Sequence, residues 1–341
     1  MASSATNRVH SFRIDNIRAI TILLVVFGHS IIIYSHSWNL YSSANSVPIL
    51  DYIKSFIDLV QMPLFFAVAG YLFVSTLSRK SKQVIVVDKI KRLLVPYACF
   101  SFCWLVPIRM LVGYPGFDRP LSGIIWNCIL LGEDNGHLWF LISLFECFII
   151  RIIVDAASDK FASQFKRNSN GVALAFSFLI AASIVVGRAF DIAMFEIMPV
   201  HYIWFALGED IRTVDSYYKQ KDCLFLFVTA ATVSVLFVIA SFITDGTINS
   251  MLTMIASACL VIFTFEYVPE KSVRPLEKLA GLSFGIYLIH SPLVYITYTL
   301  IPNANPLVLV FINFVLFGLF SGIATHLLRK SKLKFAIGET G

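Results

Sequence analysis

The chain has 341 residues, of which 57% are hydrophobic and 14% charged, with a formal net charge of +6. A water-soluble domain carries about a quarter charged residues, so this composition excludes an ordinary soluble enzyme and points to a lipid bilayer. The positive balance then reads as basic loops of a membrane protein rather than as a nucleic-acid surface.

The N-terminal stretch MASSATNRVHSF is polar and shows no cleavage site, so the first apolar run is read as retained. Apolar segments fall at about 17–36, 55–77, 93–112, 137–155, 171–187, 192–210, 223–243, 249–268, 279–300 and 306–328, each near the length a bilayer requires. The sixth is short and contains Glu196 and His201. LSGIIWNCILLG (121–132) is too brief to span and is expected at the interface or as a re-entrant segment. With the N-terminus inside, all of the 27 Lys and Arg except Lys54, Arg109, Arg119 and Arg188 fall on the inner side. That asymmetry predicts an all-α, polytopic membrane helix bundle of about ten transmembrane helices with both termini cytoplasmic. The expected organisation is a cytoplasmic tail (1–12), a membrane domain (13–330) and a second cytoplasmic tail (331–341). Six cysteines, at 99, 103, 128, 147, 223 and 259, lack zinc-ligand spacing and are read as small hydrophobes, with no metal site.

Several ionisable residues stand inside these apolar segments. In FRIDNIRAITILLVVFGHSIIIY, Asp15 and Arg18 are three apart and can pair on a helix. His29 lies eleven residues beyond Arg18, on the same face and roughly 16 Å along the axis. Arg18 alone would serve as a topology anchor, and Asp15 as a helix N-terminal charge. An imidazole at the depth of His29 requires a polar cavity or a partner. His290 in SFGIYLIHSPL, Glu146 in the fourth segment and His201 in the sixth reach a similar level. Each could be a helix-to-helix hydrogen bond. Together they predict a shared polar chamber lined by the first, fourth and ninth segments, with His29 and either His290 or Glu146 within reach of one substrate. GEDNGHLWFL places Glu133, Asp134, His137 and Trp139 at the outer face, where tryptophan is also a common interfacial residue. RKSKQVIVVDKIKRLLVPY puts Lys89, Lys91 and Arg92 before the third segment, either as topology signals or as a phosphate-binding cluster. Pro63 and Gly70 are expected to give a local helix break and close helix packing.

These stretches resemble the acyltransferase-3 family of integral membrane acyltransferases, over nearly the whole chain. DNIRAITILLVVFGH is similar to the first-helix pattern of arginine and histidine, here Arg18 and His29. MPLFFAVAGYLF resembles the second-helix motif, with Ala69 where the family usually has serine. KIKRLLVPY, HLWFL and SFGIYLIHSPLV resemble three further motifs, and the style is closest to the fucose-4-O-acetylase and exopolysaccharide O-acetyltransferase branch. The resemblance implies acyl transfer, with acetyl the expected group, from cytoplasmic acyl-CoA to a hydroxyl of a surface polysaccharide or lipid-linked sugar. Acetyl-CoA would be a co-substrate and no cofactor would stay bound. It implies catalytic roles for His29, Arg18 and Asp15, and donor binding by Lys89, Lys91 and Arg92. His137, Trp139, Glu146, His201, Tyr287 and His290 would form the acceptor chamber. A multi-pass protein of a bacterial inner membrane is expected, with the bilayer and the glycan as partners, no nucleic acid, and homo-oligomer formation left open. His29 could act as general base, its ordinary pKa lying near neutrality, or as a covalent acyl carrier. The competing reading is a transporter or flippase for a lipid-linked saccharide, which would use the same chamber without chemistry.

Overall fold

The computed structural model describes residues 11–36, 46–165, 169–189, 199–215 and 247–339, and every regular element among them is helical. In chain order these are α1 (Phe12–Ile31), α2 (Pro48–Leu77), α3 (Lys82–Leu111), α4 (Leu121–Leu130), α5 (Trp139–Phe165), α6 (Ser169–Ala189), α7 (Tyr202–Asp215), α8 (Thr247–Tyr267), α9 (Arg274–Leu300) and α10 (Pro306–Lys330). A short 3₁₀ turn, Lys332–Ile337, follows α10. Five helices (α1, α2, α3, α9 and α10) are long and apolar enough to cross a membrane, and the protein is a membrane protein.

Helix starts follow local chemistry. Ser11 caps α1 by accepting from the Ile14 amide, and Pro48, Pro275 and Pro306 occupy first turns, where a missing N–H costs nothing. Interior prolines behave differently from one another. Pro63 carries the sequence signal of a break, yet α2 runs through it without interruption. In α3 the turns before Pro96 and Pro107 widen to π geometry, at Ile90–Leu94 and Ser101–Leu105. Widened turns absorb the ring that a regular i−4 carbonyl would strike, so the helix continues for 30 residues.

The sixth expected segment is corrected at its described end: residues 199–201 form a turn, and α7 begins only at Tyr202. Pro199 supplies the reason, because its carbonyl accepts the Tyr202 amide and closes the turn there. His201 therefore sits at the mouth of α7, in the turn just before its first residue. Residues 192–198 of that segment and the whole of the seventh, 223–243, lie outside the described residues.

Two packing relations position the centre of the bundle. α1 and α9 run parallel, since Arg18 meets Ser283 at one level and His29 meets His290 seven residues farther along α9. The Asn16 amide holds this register at the starting end by donating to the carbonyls of Pro269 and Lys271. α2 and α7 cross with their backbones in contact. A Cβ on Gly70 would stand 2.0 Å from the Phe205 carbonyl oxygen, and one on Gly208 would stand 1.9 Å from that of Ala67. Only glycine fits at either point. α5, α6 and α7 are joined by an ion pair deep in the bundle, where Arg151 Nε donates to both carboxylate oxygens of Glu209 at 2.7 and 3.0 Å. Ser177 adds a third contact to the same carboxylate.

Candidate active site

Three imidazoles from distant parts of the chain converge. His29 of α1 and His290 of α9 have ring centroids 4.9 Å apart, with His290 Nε2 2.9 Å from His29 Nδ1. His137, in the short turn before α5, stands 5.8 Å from His290 and 6.3 Å from His29 by the same measure. His290 is 1% exposed and His137 6%. Tyr287 completes the wall: its hydroxyl donates to the His137 backbone carbonyl, and its ring lies 5.4 Å from the His137 ring.

Pro292 explains why His137 is held here. A proline has no N–H to give to the carbonyl four residues earlier, so Leu288 C=O loses its helical donor. His137 Nε2–H takes that place at 3.1 Å. One residue on, the Ile289 carbonyl accepts from the Trp104 indole at 2.9 Å. The His137 side chain thus satisfies the carbonyl that the proline releases, the usual condition for a proline inside a membrane helix. His137 Nδ1, buried, has no hydrogen-bond partner among the described residues.

Sequence reasoning passed over the residue that anchors the loop carrying His137. Arg109, treated above as one of four outer charges, is 1% exposed and donates to the Asp134 backbone carbonyl at 2.9 Å and to its carboxylate at 2.8 Å. The guanidinium also lies over the Tyr114 ring at 4.2 Å. Packed against it, Gly136 turns with φ +53° and sends the chain into α5. The available signal was an arginine inside the apolar run LVPIRMLVGY.

The remaining chamber candidates divide. His201 stacks on Phe66 of α2, with centroids 4.8 Å apart and planes 5° apart, and Trp139 lies 4.9 Å away on tilted planes. This aromatic group adjoins the histidines through Phe140, which packs on both Phe66 and Tyr287. Glu146 is nine residues past His137, about 13 Å along α5. No hydrogen bond joins it to the three imidazoles among the described residues. His290, rather than Glu146, is the partner of His29.

Charge collects at the other end of α1. Arg18 donates to the Ser283 hydroxyl at 3.1 Å and pairs with Asp15 at 3.6 Å. Arg92 and Arg329 are both close enough to act on it electrostatically. Arg329, which sequence reasoning left among the topology charges, also donates to the Gly281 carbonyl at 2.7 Å and pairs with Glu339. The expected donor-binding cluster separates: Lys91 and Arg92 are exposed, whereas Lys89 points its ammonium at the Phe148 ring, 3.4 Å from the centroid. A cavity of about 390 Å³ opens beside this end, lined by Asn16, Ile20, Thr264, Tyr267 and Leu276. It is largely apolar and does not reach the histidines.

Among the described residues, no group of His, Cys, Asp and Glu has the makings of a metal site. The trio therefore offers imidazole chemistry: proton transfer, nucleophilic attack or hydrogen bonding to a substrate.

Comparison with known proteins identifies the family. Residues 12–327 match the acyltransferase domain that defines the acyltransferase-3 family. A curated relative, nodulation protein NolL of Sinorhizobium fredii, is 30% identical over 151 residues, or 44% of this chain and 37% of that protein. The match thus spans well under half of NolL. No solved structure matches the chain. The family match covers α1 through most of α10, including every residue of the histidine cluster, and the chain belongs to the acyltransferase-3 family.

Proposed function

We propose that this protein is an O-acyltransferase, O-acetyl in its main reaction, working as a multi-pass protein of a bacterial inner membrane. Donor acyl-CoA approaches from the cytoplasm, and the acceptor is a hydroxyl of a surface polysaccharide or lipid-linked sugar. The observation that carries this reading is the meeting of His29, His290 and His137 inside an acyltransferase-family bundle. His29 acts as general base toward the acceptor hydroxyl, and Arg18 with Arg92 attracts the phosphates of the donor. Trp139 and His201 give the sugar an aromatic surface. Lys89 is assigned to packing, since its ammonium is engaged by aromatic rings. About ten spans with both termini cytoplasmic fit this scheme, which places the donor end of α1 inside.

Purified protein in lipid nanodiscs, given radiolabelled acetyl-CoA and an extracted glycan fraction, should label the glycan, and His29→Ala should not. Label incorporation by His29→Ala at the wild-type rate removes the catalytic assignment. If the wild type moves lipid-linked saccharide across vesicles without labelling it, the transport reading replaces the enzymatic one.

A further inference from the structure

Carbonyl oxygens only accept hydrogen bonds, so they reveal where the ring protons sit. His290 Nδ1 is 2.9 Å from the Ile286 carbonyl oxygen, which places the proton of the neutral ring on Nδ1 and leaves Nε2 bare. That bare Nε2 is the atom 2.9 Å from His29 Nδ1. His29 Nδ1 must therefore carry a proton to donate, and its 3.1 Å contact with the Val25 carbonyl requires the same proton. Two independent acceptors thus assign one tautomer to His29, with its lone pair on Nε2. Among the described residues, no hydrogen bond reaches that Nε2.

We infer that His290 is a positioning residue: fixed by the Ile286 carbonyl, it accepts the Nδ1–H of His29 and holds Nε2 of that ring as the working base. The inference rests on the acyl-transfer reading above. In the reaction, His29 Nε2 takes the proton of the acceptor hydroxyl while the oxygen attacks the thioester carbonyl carbon. The carbon–sulfur bond then breaks, and the departing thiolate recovers the proton from Nε2. Between those events His29 is an imidazolium, and its Nδ1–H bond becomes charge-assisted. The Val25 carbonyl already receives an amide of its own helix, so the bare nitrogen of His290 is the dedicated acceptor. His290 takes the place that an orienting carboxylate holds in other nucleophile–base pairs, without adding a negative charge to the interior.

Glutamine puts an amide oxygen near the position of Nε2, whereas leucine fills the space and accepts nothing. With donor KM unchanged, His290→Leu should lower kcat roughly 10- to 100-fold, the worth of a hydrogen bond to a charged group. His290→Gln should recover most of that loss. In wild-type protein labelled with ¹⁵N-histidine, the His29 resonances, identified by their loss in His29→Ala, should show a protonated Nδ1 and a bare Nε2. A nitrogen–nitrogen coupling should link that Nδ1 to His290. Equal kcat for the leucine and glutamine variants, or a His29 protonated on Nε2, overturns the inference. Unimpaired transfer by His29→Ala also overturns it, whereas a wild-type protein that transfers no acyl group overturns the acyl-transfer reading instead, and the ¹⁵N spectrum then still decides the pairing.

Discussion

Replacing Pro292 with alanine separates stability from function. An interior proline costs a helix about 3 kcal/mol relative to alanine, and the substitution would restore the N–H that Leu288 C=O lacks. That N–H competes with His137 for one oxygen, and it lies in the same helix. The His137 bond would be given up, at about 1 kcal/mol. The net is a gain of about 2 kcal/mol. For 341 residues, that corresponds to a Tm rise of roughly 3 °C. Turnover should move the other way, falling about 10-fold or more as His137 leaves its place beside His29 and His290. Thermal unfolding in detergent, followed by intrinsic fluorescence, and acetyl transfer in nanodiscs give the two readings. A Pro292→Ala protein with wild-type turnover would refute the link between proline, released carbonyl and histidine. A Tm loss of several degrees would show that the helix does not re-form its bond.

At the α2–α7 crossing, Gly70→Ala should push the helices apart by about 1.4 Å and cost about 1–3 kcal/mol. Thermal unfolding should show a fall of a few degrees, and an unshifted Tm would mean that the crossing yields freely. Glu209→Leu should destabilise by about 1–3 kcal/mol, because it leaves the buried Arg151 with only its 3.3 Å contact to Asp155, whereas Arg151→Met with Glu209→Leu should restore more than half of that. If the double variant unfolds no later than the single one, the pair is not the source of the cost. Arg18→Lys should raise the donor KM about 10-fold, since one ammonium cannot hold Asp15, Ser283 and a phosphate together. An unaltered KM would confine Arg18 to structure.

The parts of this fold that follow from period and composition were readable in the chain. The Asp15–Arg18 pair is local, three residues apart on one helix, and the structure contains it. Equal depth of His29 and His290 follows from counting residues from helix starts, and that level is where they meet. Depth says nothing about lateral neighbours, which is why Glu146 was an equal candidate and why His137, expected among the chamber residues, was placed at the outer face and not beside the two rings. Arg109 and Arg329 were read as topology because their carbonyl and carboxylate partners, at Asp134, Gly281 and Glu339, follow from tertiary folding alone. The turn at Pro199 was hidden by the apolar residues around it, which look helical by hydropathy. Pro63 and Pro292 carry the same local signal, yet only the neighbours of Pro292 show what its missing N–H achieves.

The parallel pairing of α1 with α9 sets an order of assembly. His29 and its partner are 261 residues apart, so at about 5–20 residues per second of synthesis roughly 13–50 s pass before the second ring is made. Throughout that interval Arg18 and His29 lack their α9 partners, Ser283 and His290. A chain that ends before α9 leaves both groups without those partners, which sets an unfinished chain apart from a finished one.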